Sequence, residues 1–139
     1  MNPLQMLCSV SAIANGGEYV TPYFVESISK PNGKVVYKPK TQTVRVVSED
    51  TADKLLNLMD TAVLNNYGKG SFGKLDICGK TGTAEVGQGV ENSLFVGFSK
   101  DENFPVAFVV IVEGGGSGRS SAMGVANWAL QSAKQAFAS

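Results

Sequence analysis

The segment Lys80-Thr81-Gly82-Thr83 carries the side chains of this sequence that are best suited to binding and proton-transfer chemistry. The residues before it predict a β-strand, on which Thr81 and Thr83 point in the same direction because side chains alternate. Two neighbouring hydroxyls at a strand edge can hydrogen-bond a carboxylate, and Gly82 between them lets a substrate backbone lie close. Lys80 points elsewhere, where it can stabilise an anion or help to move a proton beside another hydroxyl.

The residues alone leave two other interpretations of this segment open. An ordinary exposed strand with a glycine bulge would show the same pattern without any function. Gly79-Lys80-Thr81 is also similar to the end of a phosphate-binding loop, whose pattern requires a glycine at the position of Lys74. Gly73 is one residue out of register, and residues 75–78 have the composition of a strand, so the pattern disfavours nucleotide binding.

The composition restricts the class of protein and the chemistry open to it. A chain of 139 residues with 43% apolar residues has the size of one domain and can form a core, which excludes intrinsic disorder. Twelve basic residues balance twelve acidic ones, so no net charge favours nucleic acid as a partner. The absence of histidine excludes Ser-His-Asp and Cys-His nucleophile systems and the common histidine zinc sites.

No apolar run has the length of a membrane span, and no signal peptide opens the chain. Cys8 and Cys78 fit neither a CxxC redox pair nor a four-thiolate metal site. We expect both to be small buried hydrophobic residues, with a disulfide as the alternative.

Capping residues and apolar periodicity predict three helices. The first begins at the Asn2 cap and ends at Asn15-Gly16-Gly17, the second runs from the Ser48 cap to about residue 65, and the third follows Ser120 or Ser121. The third has an apolar stripe, beside which Trp128 should pack on the sheet. The stripe consists of Ala122, Ala126, Ala129, Leu130, Ala133 and Phe137.

The other segments predict strands. Residues 19–47 form two short extended segments around Pro31-Asn32-Gly33, and therefore a hairpin or paired arms. Residues 75–86, 92–100 and 105–113 are joined by short connections, which favours an antiparallel meander. The last of these is apolar at every position from 106 to 112, so both of its faces should be covered and it should be a central strand.

Lys80-Thr81-Gly82 matches the third signature of the penicillin-recognising serine enzymes, and Thr83-Ala84-Glu85 extends it in the usual way. The chain as a whole resembles the C-terminal part of the transpeptidase domain of a class B penicillin-binding protein. It departs from the family pattern at Asn2, usually Thr, and at Ser93-Leu94, often Ala-Trp. Further similar segments occur in family order at Asn2-Pro3-Leu4-Gln5-Met6, Ile13-Ala14-Asn15-Gly16-Gly17, Thr21-Pro22 and Phe95-Val96-Gly97-Phe98.

The resemblance implies an α+β fold, an antiparallel sheet with flanking helices, and a peptidoglycan D,D-transpeptidase that cross-links stem peptides by serine acyl transfer. β-Lactams would bind by mimicking the D-Ala-D-Ala end. Lys80 would be catalytic, and Thr81, Gly82 and Thr83 would bind the substrate, with the N–H of Thr83 as one oxyanion-hole donor. No metal or organic cofactor is implied. The location would be the outer face of the cell membrane, with the anchor outside this chain.

The family places its nucleophile in a Ser-x-x-Lys signature and a second hydroxyl in Ser-x-Asn, both upstream of the resembling region. We expect the Ser-x-x-Lys matches at Ser27–Lys30 and Ser71–Lys74 to be accidental, and no Ser-x-Asn occurs. Residues 1–139 would thus be the C-terminal portion of one transpeptidase domain, inactive alone. Its strand 105–113 would have an open edge, which favours self-association or pairing with the N-terminal part of the domain. The alternative is a non-catalytic β-lactam or peptidoglycan sensor module on the same scaffold.

Overall fold

The computed structural model describes residues 2–68, 70–87, 89–119 and 121–137. It has the α+β fold that the resemblance implies, in which helices flank an antiparallel sheet. The elements in chain order are α1 (Pro3–Ala14), β1 (Glu18–Val20), β2 (Ile28–Ser29), β3 (Val35–Tyr37), β4 (Thr43–Arg45), α2 (Glu49–Ala62), β5 (Ile77–Glu85), β6 (Glu91–Ser99), β7 (Ala107–Val112) and α3 (Ala122–Phe137).

Helix α1 begins and ends where its caps predict. The side chain of Asn2 accepts a hydrogen bond from the Leu4 N–H at 2.8 Å, and Pro3 occupies the first turn, where its missing N–H costs nothing. The chain leaves the helix through Gly16 and Gly17, both at positive φ. A Cβ at Gly17 would lie 2.3 Å from the carbonyl oxygen of Val47, so only glycine fits this crossing.

The segment between α1 and α2 forms paired arms, as predicted. Strand β1 pairs antiparallel with β4, and β2 pairs antiparallel with β3 across the turn at residues 31–33. The Asn32 side chain accepts from the Lys34 N–H within this turn. Residues 21–38 are exposed, so the arms contribute little to the core.

Helix α2 starts at the predicted cap, because the Ser48 hydroxyl accepts from the Thr51 N–H. Its end differs from the prediction. The α-helical hydrogen bonding stops at Ala62, and a single π-helical turn, Val63–Tyr67, continues the helix. The wider turn shifts the positions that follow it relative to a regular helix, and π-helical segments in proteins are mostly single turns like this one.

Strands β5, β6 and β7 form the predicted antiparallel meander. One face of this sheet packs on α3 and the other on α1 and α2. The α3 side holds a buried cluster of Val63, Phe72, Ile77, Phe95, Phe104, Ala122, Ala126 and Leu130. The α1 side holds Val10, Cys78 and Phe98.

Within the described residues the apolar strand is an edge strand, so the expectation of a central strand does not hold for this chain, whereas the expected open edge of residues 105–113 is confirmed. β7 pairs with β6 along one edge and with no described strand along the other. Its apolar sequence has another cause, since α1 packs on one of its faces and α3 on the other. A strand that is covered on both faces needs apolar side chains on both sides. Whether it is central or at the edge depends instead on how many of its edges pair with other strands, and the composition of the strand does not show this.

Trp128 does not pack on the sheet. Its side chain is 74% exposed, because it follows Ala126 by two residues and therefore lies about 200° around the helix from the buried face. That face is narrower than the predicted stripe: Ala122, Ala126 and Leu130 are buried, Ala133 is half-buried, and Ala129 and Phe137 are exposed.

The start of α3 is held by residues distant in sequence. The N–H of Ala122 donates to the Ser93 hydroxyl at 2.9 Å, and the Ser121 hydroxyl donates to the Gly115 carbonyl oxygen. Of the two predicted caps, Ser120 lies outside the described residues.

Both cysteines are buried and free, which confirms the prediction that they act as small hydrophobic residues. Burial, the largest effect, raises the pKa of the Cys78 thiol to about 12. None of the helices in the described ranges combines the length and hydrophobicity needed to cross a membrane.

Candidate functional site

The Lys-Thr-Gly-Thr segment lies in the middle of β5, in regular antiparallel register with β6. Thr81 stands opposite Phe95, and Thr83 opposite Ser93. The other edge of β5 has no strand partner in the part of the chain that the structure describes. Extended backbone at these positions excludes the phosphate-binding loop, whose backbone would have to curl around an anion.

Side-chain alternation separates the segment into two faces, as predicted. Thr81 and Thr83 lie on the face that packs on α3, with Thr81 half-buried and Thr83 exposed. Lys80 lies on the other face and is exposed, and its ammonium donates to the carbonyl oxygen of Thr81 at 2.8 Å. Lys80 forms no ion pair with any carboxylate of the described chain, so its charge remains available to an anion.

Tyr67 is the residue of this site that the sequence analysis missed. Its hydroxyl lies 2.8 Å from the Thr81 hydroxyl and accepts from the Thr81 N–H at 3.0 Å. The ring meets Phe95 edge to face, with 6.0 Å between the ring centres. No periodic signal could have identified Tyr67, because its direction depends on the π-helical turn that ends α2.

These contacts show which backbone groups face the open edge of β5. The Thr81 N–H and carbonyl oxygen bond to Tyr67 and Lys80, and not to β6, so both point to the open edge. Backbone groups of alternate residues in an antiparallel strand point to the same edge. The N–H of Thr83 therefore also points to the open edge, two residues from the position that Tyr67 occupies.

The loop before α3 packs across the two threonines. The N–H of Gly118 donates to the Thr83 hydroxyl at 3.4 Å, a long hydrogen bond. A Cβ at Gly118 would lie 2.5 Å from the carbonyl oxygen of Gly82 and 2.6 Å from that of Leu94. Only glycine allows the loop to approach the strands this closely.

Ser93, on β6, holds the loop before α3 in place through two hydrogen bonds. It is fully buried, and its hydroxyl donates to the Ser117 carbonyl oxygen at 2.9 Å while accepting from the Ala122 N–H at 2.9 Å. The loop, the start of α3 and the central strand are thus joined at one hydroxyl. This is one of the two positions where the sequence departs from the family pattern.

An ion-pair bridge fixes α2 against the start of β5. The Lys100 ammonium lies 3.0 Å from a carboxylate oxygen of Asp60 on α2 and 3.0 Å from one of Asp76 before β5. Partial burial opposes the charge of Lys100, but hydrogen bonds to the two carboxylates outweigh it and raise its pKa. The bridge helps to hold the end of α2, and with it Tyr67, beside β5.

The two literal Ser-x-x-Lys matches lie outside this arrangement. Ser27 is exposed in the extended segment before β2, and Ser71 lies in a turn where its hydroxyl donates to the Tyr67 carbonyl oxygen. Neither serine begins a helix, as the sequence analysis expected. Within the described residues no group of three or more Cys, Asp or Glu side chains is arranged to hold a metal ion.

Comparison with known proteins identifies the family to which the chain is similar. The family model of the penicillin binding protein transpeptidase domain matches residues 1–132. The chain is 35% identical over 129 residues to the peptidoglycan D,D-transpeptidase PbpA of Mycolicibacterium smegmatis, covering 89% of this chain and 26% of that protein. It is 33% identical over 127 residues to penicillin-binding protein H of Bacillus subtilis, covering 79% of this chain and 18% of that protein.

Solved structures agree with the sequence matches. The imipenem acyl-enzyme complex of penicillin-binding protein A from M. tuberculosis superposes with a TM-score of 0.78 and 29% identity, over 94% of this chain and 31% of that one. The D,D-transpeptidase domain of a peptidoglycan glycosyltransferase from Eggerthella lenta superposes with a TM-score of 0.78 and 30% identity, over 95% of this chain and 32% of that one.

The chain spans about a quarter or less of the length of these two sequence relatives. The match nevertheless extends over most of the chain and includes the strand that carries the motif. The resemblance that the sequence analysis identified is confirmed: this chain belongs to the penicillin-binding protein transpeptidase family.

Proposed function

We propose that this chain supplies the carboxylate-binding strand of a peptidoglycan D,D-transpeptidase that cross-links stem peptides by serine acyl transfer and is acylated by penicillin. The observation that carries the proposal is the position of the Lys-Thr-Gly-Thr segment at the open edge of β5. An open edge accepts an extended peptide through its backbone groups, and a stem peptide is such a ligand. At this edge Tyr67 and Lys80 bond the backbone groups of Thr81, so the ligand would use those of Thr83.

Each residue of the segment has a role that its surroundings support. The hydroxyls of Thr81 and Thr83 share one face and bind the terminal carboxylate of the D-Ala-D-Ala end. The outward N–H of Thr83 serves as one of two oxyanion-hole donors. A Cβ at Gly82 would meet only Leu94, at an ordinary 3.5 Å, so internal packing does not require this glycine, which agrees with a role in admitting the ligand.

Lys80 supplies a positive charge to the proton network of the acyl transfer. In the full domain its ammonium faces the serine of a Ser-x-Asn signature, which together with the nucleophile lies outside this chain. The exposed position and unpaired charge of Lys80 support this role, because no carboxylate of the described chain competes for it.

The chain corresponds, in this proposal, to the C-terminal portion of one transpeptidase domain and is inactive without the rest. Its partners are the N-terminal part of that domain, the stem peptide and β-lactams. The acyl-enzyme complexes formed by penicillin-binding protein A of M. tuberculosis with imipenem and penicillin G support the last of these. The site lies on the extracytoplasmic face of the membrane, where peptidoglycan is assembled.

The proposal is tested on the complete parent protein by its rate of acylation by a fluorescent penicillin. Lys80→Ala should slow acylation on the order of 10²-fold or more, as expected when a group of the proton network is lost. Thr83→Ala should be milder because its backbone N–H survives. Lys74→Ala, at an exposed turn residue shortly before β5, is the matched control and should react normally.

Acylation of the Lys80→Ala protein at the normal rate would remove Lys80 from the mechanism. Reversible penicillin binding without any acyl adduct in the unsubstituted parent would contradict the transpeptidase proposal and support the non-catalytic sensor module instead.

A further inference from the structure

The Tyr67 hydroxyl makes two hydrogen bonds to a single residue of the motif. It accepts from the backbone N–H of Thr81 and lies 2.8 Å from the Thr81 hydroxyl. The edge-to-face contact with Phe95 and the end of the π-helical turn fix the ring. A tyrosine placed in this way controls both the N–H and the hydroxyl of Thr81.

The proton positions in this pair follow from the donors available. The Thr81 N–H can only donate, so the Tyr67 oxygen is the acceptor in that bond. Each hydroxyl has a single proton, and a phenol is the stronger acid of the two and hence the better donor. The phenol proton is therefore directed to the Thr81 oxygen, which leaves the Thr81 proton free to donate away from Tyr67.

A bound carboxylate requires the same assignment of donor and acceptor in the Tyr67–Thr81 hydroxyl pair. A carboxylate only accepts, so a Thr81 hydroxyl that binds it must donate to it and must accept from Tyr67. The three hydrogen bonds then run in one direction, from the Thr81 N–H through Tyr67 and the Thr81 hydroxyl to the carboxylate. Hydrogen bonds arranged in this way polarise and strengthen one another.

We propose that Tyr67 is a positioning residue that presets the Thr81 hydroxyl as a hydrogen-bond donor to the carboxylate of the ligand. The inference rests on the proposed function, because it concerns the carboxylate subsite of the same strand. Tyr67 does not contact the reacting carbonyl and acts through Thr81 alone. Its loss therefore weakens recognition of the anion and leaves the acyl-transfer step intact.

Tyr67→Phe in the complete parent protein separates these effects, since it keeps the ring contact with Phe95 and removes only the hydroxyl. The second-order acylation rate with benzylpenicillin should fall about tenfold, as expected when a hydrogen bond to a charged group is weakened, through a weaker initial complex and with an unchanged rate constant for acylation within it. The methyl ester of benzylpenicillin lacks the anion, and its acylation rate should be the same for both proteins.

The ratio of the benzylpenicillin rate to the ester rate, measured in one preparation, does not depend on the fraction of folded protein. Tyr37→Phe, at an exposed tyrosine of β3, is the matched control and should leave this ratio unchanged. In a Thr81→Ala background, Tyr67→Phe should have no further effect on the ratio, because the hydroxyl through which it acts is absent.

An unchanged ratio in Tyr67→Phe, in a parent that is acylated normally, would overturn this inference and leave the proposed function standing. Equal losses with benzylpenicillin and its ester would do the same, since they indicate a general structural effect. A parent protein that is not acylated at all would instead overturn the proposed function and this inference with it.

Discussion

Gly97 stands opposite Gly79 in the β5–β6 pair, and its replacement by alanine should be strongly destabilising. A Cβ at this position would stand 2.2 Å from the carbonyl oxygen of Cys78 and 2.7 Å from the ring of Phe108. The aromatic ring can rotate, but the carbonyl oxygen belongs to the backbone of β5. The methyl group therefore fits only if the two strands separate.

The size of the effect follows from this geometry. Carbon and oxygen atoms need more than about 3 Å, so the strands would have to move apart by about 1 Å at the centre of the sheet, which disrupts neighbouring ladder hydrogen bonds. Overpacking usually costs about 1–3 kcal/mol, and a backbone obstacle places Gly97→Ala at or above the upper end. Native domains are stable by only about 5–15 kcal/mol, so the loss is large.

Gly124→Ala is the matched control with the opposite sign. Gly124 lies in α3, and a Cβ there would meet no atom within 4 Å. Alanine is favoured over glycine in a helix by up to about 1 kcal/mol, so this variant should be slightly more stable. In urea unfolding followed by far-ultraviolet circular dichroism, slopes of about 1–3 kcal/mol/M convert a cost of about 3 kcal/mol into a midpoint lowered by about 1–3 M for Gly97→Ala, whereas the midpoint of Gly124→Ala should rise.

A Gly97→Ala chain whose midpoint lies within about 0.3 M of the unsubstituted chain would refute the reasoning, because the slope then limits the cost to about 1 kcal/mol. The same holds if both variants shift in the same direction by the same amount. A Gly97→Ala chain that is unfolded without urea agrees with the prediction.

Three further predictions concern other parts of the chain. After incubation with penicillin, intact-mass spectrometry should show no stable adduct on this chain, and an adduct that disappears in Ser27→Ala or Ser71→Ala would contradict the interpretation of both Ser-x-x-Lys matches as accidental. Light scattering over a concentration series should show self-association through the edge of Ala107–Val112 that pairs with no described strand, and a strictly monomeric folded species at high micromolar concentration would refute it. Burial raises the pKa of the Cys78 thiol to about 12, from about 9 in the unfolded chain. The buried neutral thiol therefore contributes its full stability below about pH 9, and this contribution is lost between about pH 9 and 12. The decrease in the urea midpoint over this pH range should be smaller in Cys78→Ala.

Local signals predicted the elements of the fold well. The caps at Asn2 and Ser48 predicted the start of two helices, and both side chains accept the expected backbone N–H groups. The turn at residues 31–33 and the short connections between the last three strands predicted antiparallel pairing, which the structure confirms. Each of these features depends on residues within a few positions of one another, so the sequence is sufficient to identify them.

Positions that depend on distant contacts were predicted poorly. The composition of β7 alone predicted a central strand, but an apolar strand indicates only that its faces are covered; the open edge was expected from the family resemblance and not from the composition. Trp128 was expected to pack on the sheet but is exposed. Its position at the border of the stripe did not determine which way its side chain faces. The end of α2 was placed near residue 65 without the π-helical turn, although that turn gives Tyr67 its direction.

The sequence by itself determined the family, the motif and the alternation that separates Lys80 from Thr81 and Thr83, because these depend on residue type, order and the two-residue period of a strand. Only the tertiary structure decided what surrounds the motif. Tyr67 reaches Thr81 from 14 positions upstream, and Gly118 reaches Thr83 from 35 positions downstream. These contacts depend on the π-helical turn, on the hydrogen bonds of the Ser93 hydroxyl and on the close approach of the Gly118 loop to the strands. These features lie far apart in the sequence, so no local pattern encodes the geometry that they produce together.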